Sequence, residues 1–165
     1  MSDEDEKTIA ELIESLERTP HEVARIIAEM SAQELRKRPS PEEFSAIESI
    51  CHLRDIEIEG YSIRIRRLLA EDRPRLPDID GARLAIERDY NNQEVSEAIA
   101  SLTLARQQNV SVLRQLDEDQ FLRTGDLEGL GRVTIGKLLL MMREHDDSHV
   151  EELQRIRNSS RYGNQ

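Results

Sequence analysis

The chain has 165 residues, of which 35% are charged, 37% hydrophobic and 3% aromatic, with no Trp; that is a length for one domain and the composition of amphipathic helices. A formal net charge of −11 sets a nucleic-acid partner aside, because binding would meet phosphate repulsion instead of gaining from counterion release. The longest apolar run, "LLLMM" at 138–142, falls far short of the roughly 20 residues that cross a bilayer. Further, "MSDEDEKT" is the reverse of a basic signal-peptide start, and a lone Cys51 can form no internal disulfide, so no membrane partner and a cytoplasmic location are expected.

From the N-terminus, Ile9, Leu12, Ile13 and Leu16 share one helical face, and Pro20 predicts the end of that helix, with residues 1–5 frayed. Val23, Ile26 and Ile27 continue the pattern, and "SAQE" at 31–34 is a capping box that opens one more turn, so a broken first arm is expected. "PSPEEFSAIE" offers two starts for a long helix, Ser40 with Pro41 at the first helical position and Ser45 with Glu48 three residues on. From there to Glu71 no proline intervenes. Ile47, Ile50, Cys51, Leu53, Ile56, Ile58, Tyr61, Ile63, Ile65, Leu68 and Leu69 cover more than one face, so this helix must meet more than one neighbour.

"EDRPRLPDIDG" reads as a long connection and "ARLAIERDY" as a short helical stretch. Asn92 is the expected cap of a third long helix carrying Val95, Ala98, Ile99, Leu102, Ala105, Val112, Leu113 and Leu116. "TGDLEGLGRV" interrupts the pattern with three glycines, and a last helix is expected from Thr134 to Asn158. β-branched residues never alternate with polar ones long enough to predict strands. The expectation is one all-α domain over residues 1–165, a four-helix bundle.

On the last helix Ile135, Leu138, Leu139 and Met142 set the inward stripe, and the next steps of three and four land on His145, His149, Leu153 and Ile156. Residues at i and i+4 hold their Cβ atoms about 5–6 Å apart, close enough for two imidazoles to share an ion. The same spacing also fits two histidines at the edge of a core, satisfied by hydrogen bonds. A third ligand has to come from a facing helix. His52 is the candidate, placed with Ile56 and Ile63 on one inward side, whereas His21 lies near a break in the first arm. "HDDSH" is not the zincin motif, since Asp146 stands where that motif has its general-base Glu.

"EEFSAIESICHLRDIE", followed by "YSIRIRRLL", a Pro-containing loop and "TIGKLLLMMREHDDSHVEELQRI", resembles the DinB-like superfamily of metal-binding four-helix bundles across nearly the whole chain. Phe44 departs from the Trp that many members carry before the helix-start serine, a difference that concerns packing. The resemblance implies an up-down-down-up bundle with a long crossover between helices two and three. It also implies a metal ion on His52, His145 and His149; three histidines suit zinc, nickel, copper or iron, and a divalent ion, zinc or nickel, is expected. Members include thiol-dependent S-transferases and a maleylpyruvate isomerase. A low-molecular-weight thiol with a small electrophilic substrate is therefore one expected partner set, with hydrolysis by activated water, or a noncatalytic metal-binding or stress-response role, as the alternatives.

Around these histidines, Asp55 and Glu48, one turn after and before His52, are either orienting acceptors or solvated helix-face carboxylates. Cys51 reads as a nucleophile or as a small buried hydrophobe. Arg64, Arg66 and Arg67 read as an anion-holding cluster or as a solvated face. A helix two that is apolar on several sides suggests a homodimer.

Overall fold

Ser45 begins the second long helix. Its hydroxyl accepts from the Glu48 backbone N–H at 3.3 Å, and Glu48 Oε2 accepts from the Ser45 N–H at 2.8 Å, so two donors that a helix start leaves unpaired satisfy each other's residues. The Ser40 start goes unused, and residues 41–42 form a turn instead. The computed structural model describes the backbone of residues 3–162 and the side chains of residues 8–159. Of the segment expected to fray, residues 1 and 2 lie outside the described residues.

The elements in chain order are α1 (Asp3–Ile27), α2 (Ala32–Arg36), α3 (Ala46–Asp55), a π-helical segment (Ile56–Tyr61), α4 (Ser62–Ala70), β1 (Arg75–Leu76), α5 (Gly81–Glu87), a 3-10 turn (Tyr90–Asn92), α6 (Val95–Leu113), α7 (Glu118–Phe121), β2 (Thr124–Leu127), β3 (Gly131–Thr134) and α8 (Ile135–Tyr162). The bundle is made by α1, the continuous helix of residues 46–70, α6 and α8.

Pro20 does not end α1. A proline inside a helix leaves the carbonyl four residues back without its N–H partner. Here that carbonyl is Leu16 O, and Arg106 Nη1 donates to it at 2.7 Å across the bundle. The first arm breaks only at 28–31, where the expected capping box of Ser31 and Glu34 opens α2.

The π segment changes which residues of the second helix face inward. Ser62 gives its backbone N–H to Glu57 O, five residues back, and its hydroxyl donates to the same carbonyl at 2.8 Å. One extra residue in the turn advances the following side chains by about a helical step of 100°. Beyond it Tyr61, Arg64, Ile65 and Leu68 are buried while Ile63 is 36% exposed, which corrects the placement of Ile63 on the inward side; at the start of the segment Glu57 is buried and Ile58 is 38% exposed.

Two apolar clusters fill the bundle ends. One joins Val23, Ile26 and Ile27 of α1 with Ala46–Leu53, with Ala98 and Leu102, and with Val150, Leu153 and Ile156. The other joins Ile13 and Leu16 with Ile65 and Leu68, with Val110 and Leu113, and with Ile135–Met142. The 46–70 helix and α6 thus run from the first end to the second, and α1 and α8 run the other way. Two consecutive parallel helices need a long return, supplied by residues 71–94 with β1, α5 and the 3-10 turn. In that return Asn92 does not cap α6: the cap position is Glu94, and Asn92 Nδ2 bonds Asp89 instead. Tyr90, fully buried with its hydroxyl 2.6 Å from Asp55 Oδ2, anchors a 3-10 turn that takes in Asn92, two residues short of the cap position.

A small sheet was not expected from the sequence. β1 pairs with β2 in parallel and β2 with β3 in antiparallel fashion, Gly125 opposite Val133 and Asp126 opposite Arg132. Strands of two to four residues are too short to show an alternating pattern. Gly129 and Gly131, at φ +78° and +90°, make the tight turn between β2 and β3, and Leu76, Leu127 and Val133 seal that end of the bundle.

Between the two apolar clusters lies a polar layer centred on Arg106, 2% exposed. Besides Leu16 O, its guanidinium binds Glu57 (Nε–Oε1 2.9 Å, Nη2–Oε2 3.0 Å) and Asp146 (Nη1–Oδ2 2.6 Å, Nη2–Oδ1 3.0 Å). Replacing one partner of such a buried network leaves the others uncompensated and costs about 3–5 kcal/mol. Arg106→Met is accordingly expected to lower the unfolding free energy by about that amount in denaturant titrations, and adding Glu57→Gln and Asp146→Asn should restore part of it.

Candidate metal centre

His52 of α3 and His145 and His149 of α8 meet in the polar layer, each part-buried, with one donor atom from each ring lying within 4.8 Å of the others. His52 Nε2 and His145 Nε2 are 3.1 Å apart. The ring centroids are separated by 5.2 Å (52–145), 5.0 Å (52–149) and 4.7 Å (145–149). Tetrahedral bonds of 2.0–2.1 Å put two nitrogens about 3.3 Å apart, so the donor set has the size and chemistry for one divalent ion.

Each ring is positioned differently. His149 Nδ1 lies 3.1 Å from Glu152 Oε2 and 2.8 Å from Ser49 Oγ, and Ser49 Oγ donates to the same Glu152 oxygen at 2.9 Å. A carboxylate there accepts the Nδ1 proton and leaves Nε2 free of hydrogen for a ligand bond. Burial works to raise the Glu152 carboxyl, but the hydrogen bonds from His149 and Ser49 outweigh it and hold the group below its ordinary value.

His52 is held by packing. A Cβ at residue 81 would stand 2.3 Å from its Cε1, so only Gly81 lets the start of α5 close over the ring. The Phe44 ring lies 5.6 Å away and packs against the neighbouring apolar cluster. His52 Nδ1 is buried without a hydrogen-bond partner. Tyr61, 5% exposed, has its ring 6.3 Å from that of His145.

Burial first, and the nearby charge of His149 second, push His52 down to about 4. Burial, the other two histidines, Arg106 and Arg64 push His145 down to about 3. Both rings are therefore neutral at physiological pH, the form that binds metal.

Several residues read from the sequence do something other than serve the histidines. Asp55 binds Tyr90, Arg54 (2.7 Å) and Arg88 (2.7 Å), and so ties the crossover to α3 without touching His52. Glu48 is buried against Arg38 and caps its own helix. Cys51 is buried, its Sγ directed at Tyr90 O and Gln93 Oε1, and burial raises its thiol to about 11, the behaviour of a small hydrophobe. His21 is exposed on α1, outside the cluster. Of the three arginines, Arg66 and Arg67 lie on the surface while Arg64 is 5% exposed. Ser49, Glu152, Tyr61 and the Arg106 network went unseen in the sequence, though the i,i+3 spacing of His149 and Glu152 was a usable signal.

A family model of the DinB superfamily matches residues 15–153, and the chain belongs to that superfamily. Among solved structures it is similar to YfiT from Bacillus subtilis, described as a probable metal-dependent hydrolase with an unusual four-helix bundle topology. The TM-score is 0.87 at 21% identity, covering 99% of this chain and 90% of that one; at that identity the likeness establishes the fold. No curated protein matches the sequence. Among the described residues no helix is long and apolar enough to cross a membrane.

The low proton affinity of two histidines sets a pH dependence for the metal-free protein. Unfolded histidines titrate near 6.5, so below that pH the unfolded chain takes up protons that folded His52 and His145 refuse. Stability should be greatest above pH 6.5 and fall as pH drops toward 4. His145→Gln should flatten the portion between pH 6.5 and 5, where carboxylates titrate little, as read by thermal melts of chelator-treated protein.

Proposed function

We propose that His52, His145 and His149 hold one divalent ion, zinc or nickel, and that the centre is hydrolytic. The observation that carries this reading is the convergence of three part-buried imidazole donors, two of which, His52 and His145, burial holds neutral. An ion held by His52, His145 and His149 would supply Lewis acidity, lowering the pKa of a water or thiol so that a nucleophile is available near neutral pH. Three protein ligands leave coordination positions open, as catalytic sites require.

The chain's own residues hold and shape. Glu152 and Ser49 fix the His149 tautomer, Gly81 and Phe44 clamp His52, and Tyr61 walls the His145 side. The candidate nucleophiles nearby are engaged: the Ser49 hydroxyl is hydrogen-bonded to His149 and Glu152, the Cys51 thiol is buried and protonated, and Asp146 is taken up by Arg106. The attacking group therefore comes from outside. Water is favoured because YfiT, which shares the fold, is described as a probable metal-dependent hydrolase. A second reading follows from the same lack of an internal nucleophile, in which a low-molecular-weight thiol attacks a small electrophile in the cytoplasm.

Purified protein should carry about one divalent ion per chain by elemental analysis, and His145→Ala or His149→Ala should reduce that at least tenfold. Full metal content in both variants would refute the assignment. With metal bound, ester and amide hydrolysis should exceed that of chelated protein; a rate seen only with added thiol and a monohalobimane acceptor would move the reading to transfer.

Glu152→Gln replaces the anionic acceptor of the His149 proton by a neutral one. Metal affinity should weaken about 10–100-fold, measured by competition with a chromophoric chelator, while circular dichroism stays unchanged.

A further inference from the structure

Arg64 is as deeply buried as the core around it, at 5% exposure, yet it is poorly partnered. Its Nη2 donates to Pro77 O at 3.2 Å and reaches Asp78 Oδ1 only at 3.5 Å, and that aspartate is itself 69% exposed. Its Nε is buried with no partner at all. Arg106, one layer away, shows what a satisfied buried guanidinium looks like: five donors, five bonds, two buried carboxylates. A buried cation short of acceptors is costly to maintain, and a site that receives an anion removes that cost.

The location gives the anion a purpose. The Arg64 guanidinium carbon stands 5.6 Å from the centroid of the Tyr61 ring, and that ring stands 6.3 Å from the ring of His145. Tyr61 thus neighbours both the guanidinium and His145. Ile79 of the crossover packs toward Gly60 on the same stretch of helix, and Phe44 lies beyond against His52. Ile79 and Arg64 Nη1 thus approach the same point of the helix, so the guanidinium has apolar neighbours in Tyr61 and Ile79.

We propose that Arg64 is the substrate anchor of the centre, binding the carboxylate of a small organic substrate whose reacting group extends over Tyr61 to the three histidines. This rests on the metal-centre reading above. A monoanion with an organic body suits the site better than a dianion. Glu57 and Asp146 outnumber Arg106 in the adjacent buried layer, and the chain as a whole carries −11, so each added negative charge meets more repulsion. The apolar walls favour a carboxylate attached to carbon over a free inorganic anion.

The test uses benzoate as the carboxylate probe, inorganic phosphate as the dianion and benzamide as the neutral control. Each is titrated into zinc-loaded and metal-free protein by calorimetry, with zinc content measured beforehand. Benzoate should bind both forms, more tightly with zinc, and more tightly than phosphate or benzamide. Arg64→Gln should weaken benzoate at least tenfold in both forms, Arg64→Lys by less, and exposed Arg66→Gln not at all. In the wild type the Arg64 Nε–H signal, identified by its loss in Arg64→Lys, should shift as benzoate is added; this readout stands even where Arg64→Gln does not fold. Equal benzoate affinity in Arg64→Gln, tighter phosphate, or an unmoved Nε–H signal would overturn the anchor. If zinc binds and benzoate depends on zinc alone, the metal centre stands and the anchor falls; if zinc does not bind, the centre itself fails.

Discussion

Arg106 makes five hydrogen bonds, and they reach every other long helix of the bundle: α1 at Leu16 O, the second helix at Glu57 and α8 at Asp146. Burial opposes its charge, but the two carboxylates more than compensate and hold the guanidinium protonated. Such a network is weak as a source of stability, since apolar residues of the same volume serve as well or better. Its effect is on register. A helix that slid by one residue would remove a carboxylate from the guanidinium and leave a buried charge without a partner, which is far costlier than an imperfect apolar contact.

That register is what the histidines need. Asp146 follows His145 directly, and Glu57 lies five residues beyond His52, so the pairing that fixes α8 against the second helix also brings one donor atom of each of the three rings within 4.8 Å of the others. The π segment belongs to the same arrangement. Near its start Glu57 faces the polar layer and accepts from Asn109 Nδ2 at 2.7 Å, and Tyr61 and Arg64 beyond it lie on the inner side. Insertions of this kind often mark functional sites in helices. Apolar clusters above and below supply the stability, and the layer between them is free to carry chemistry.

The electrostatics of the layer divide the work. Two histidines are kept neutral by burial and by nearby positive charge, one has its tautomer set by Glu152, and Arg64 stands short of acceptors beyond Tyr61. The crossover does more than connect parallel helices: Gly81 closes over His52, and Pro77 and Asp78 steady Arg64.

The sequence by itself determined the bundle and the ligand candidates, because both are written in short-range periodicity. Ser45 with Glu48 marks a helix start, Ile135 to Ile156 a single stripe, and His145 with His149 one turn of it, and His52 followed from the need for a facing ligand. It misplaced Pro20, Ile63, Asn92 and the strands, each for a reason outside local pattern. The carbonyl that Pro20 frees is taken by a side chain ninety residues away, and a π turn exchanges the inner face for the outer. A buried Tyr90 fixes the crossover before Asn92 can cap, and strands of two to four residues pair only because the bundle end brings them together. Only the tertiary structure decided that Glu57, Arg106 and Asp146 share one layer, that Glu152 orients His149 and that Arg64 is buried while Arg66 and Arg67 are not. Partners far apart in sequence carry no periodic signal, and a charged residue reveals its role only once the folded chain has settled what surrounds it.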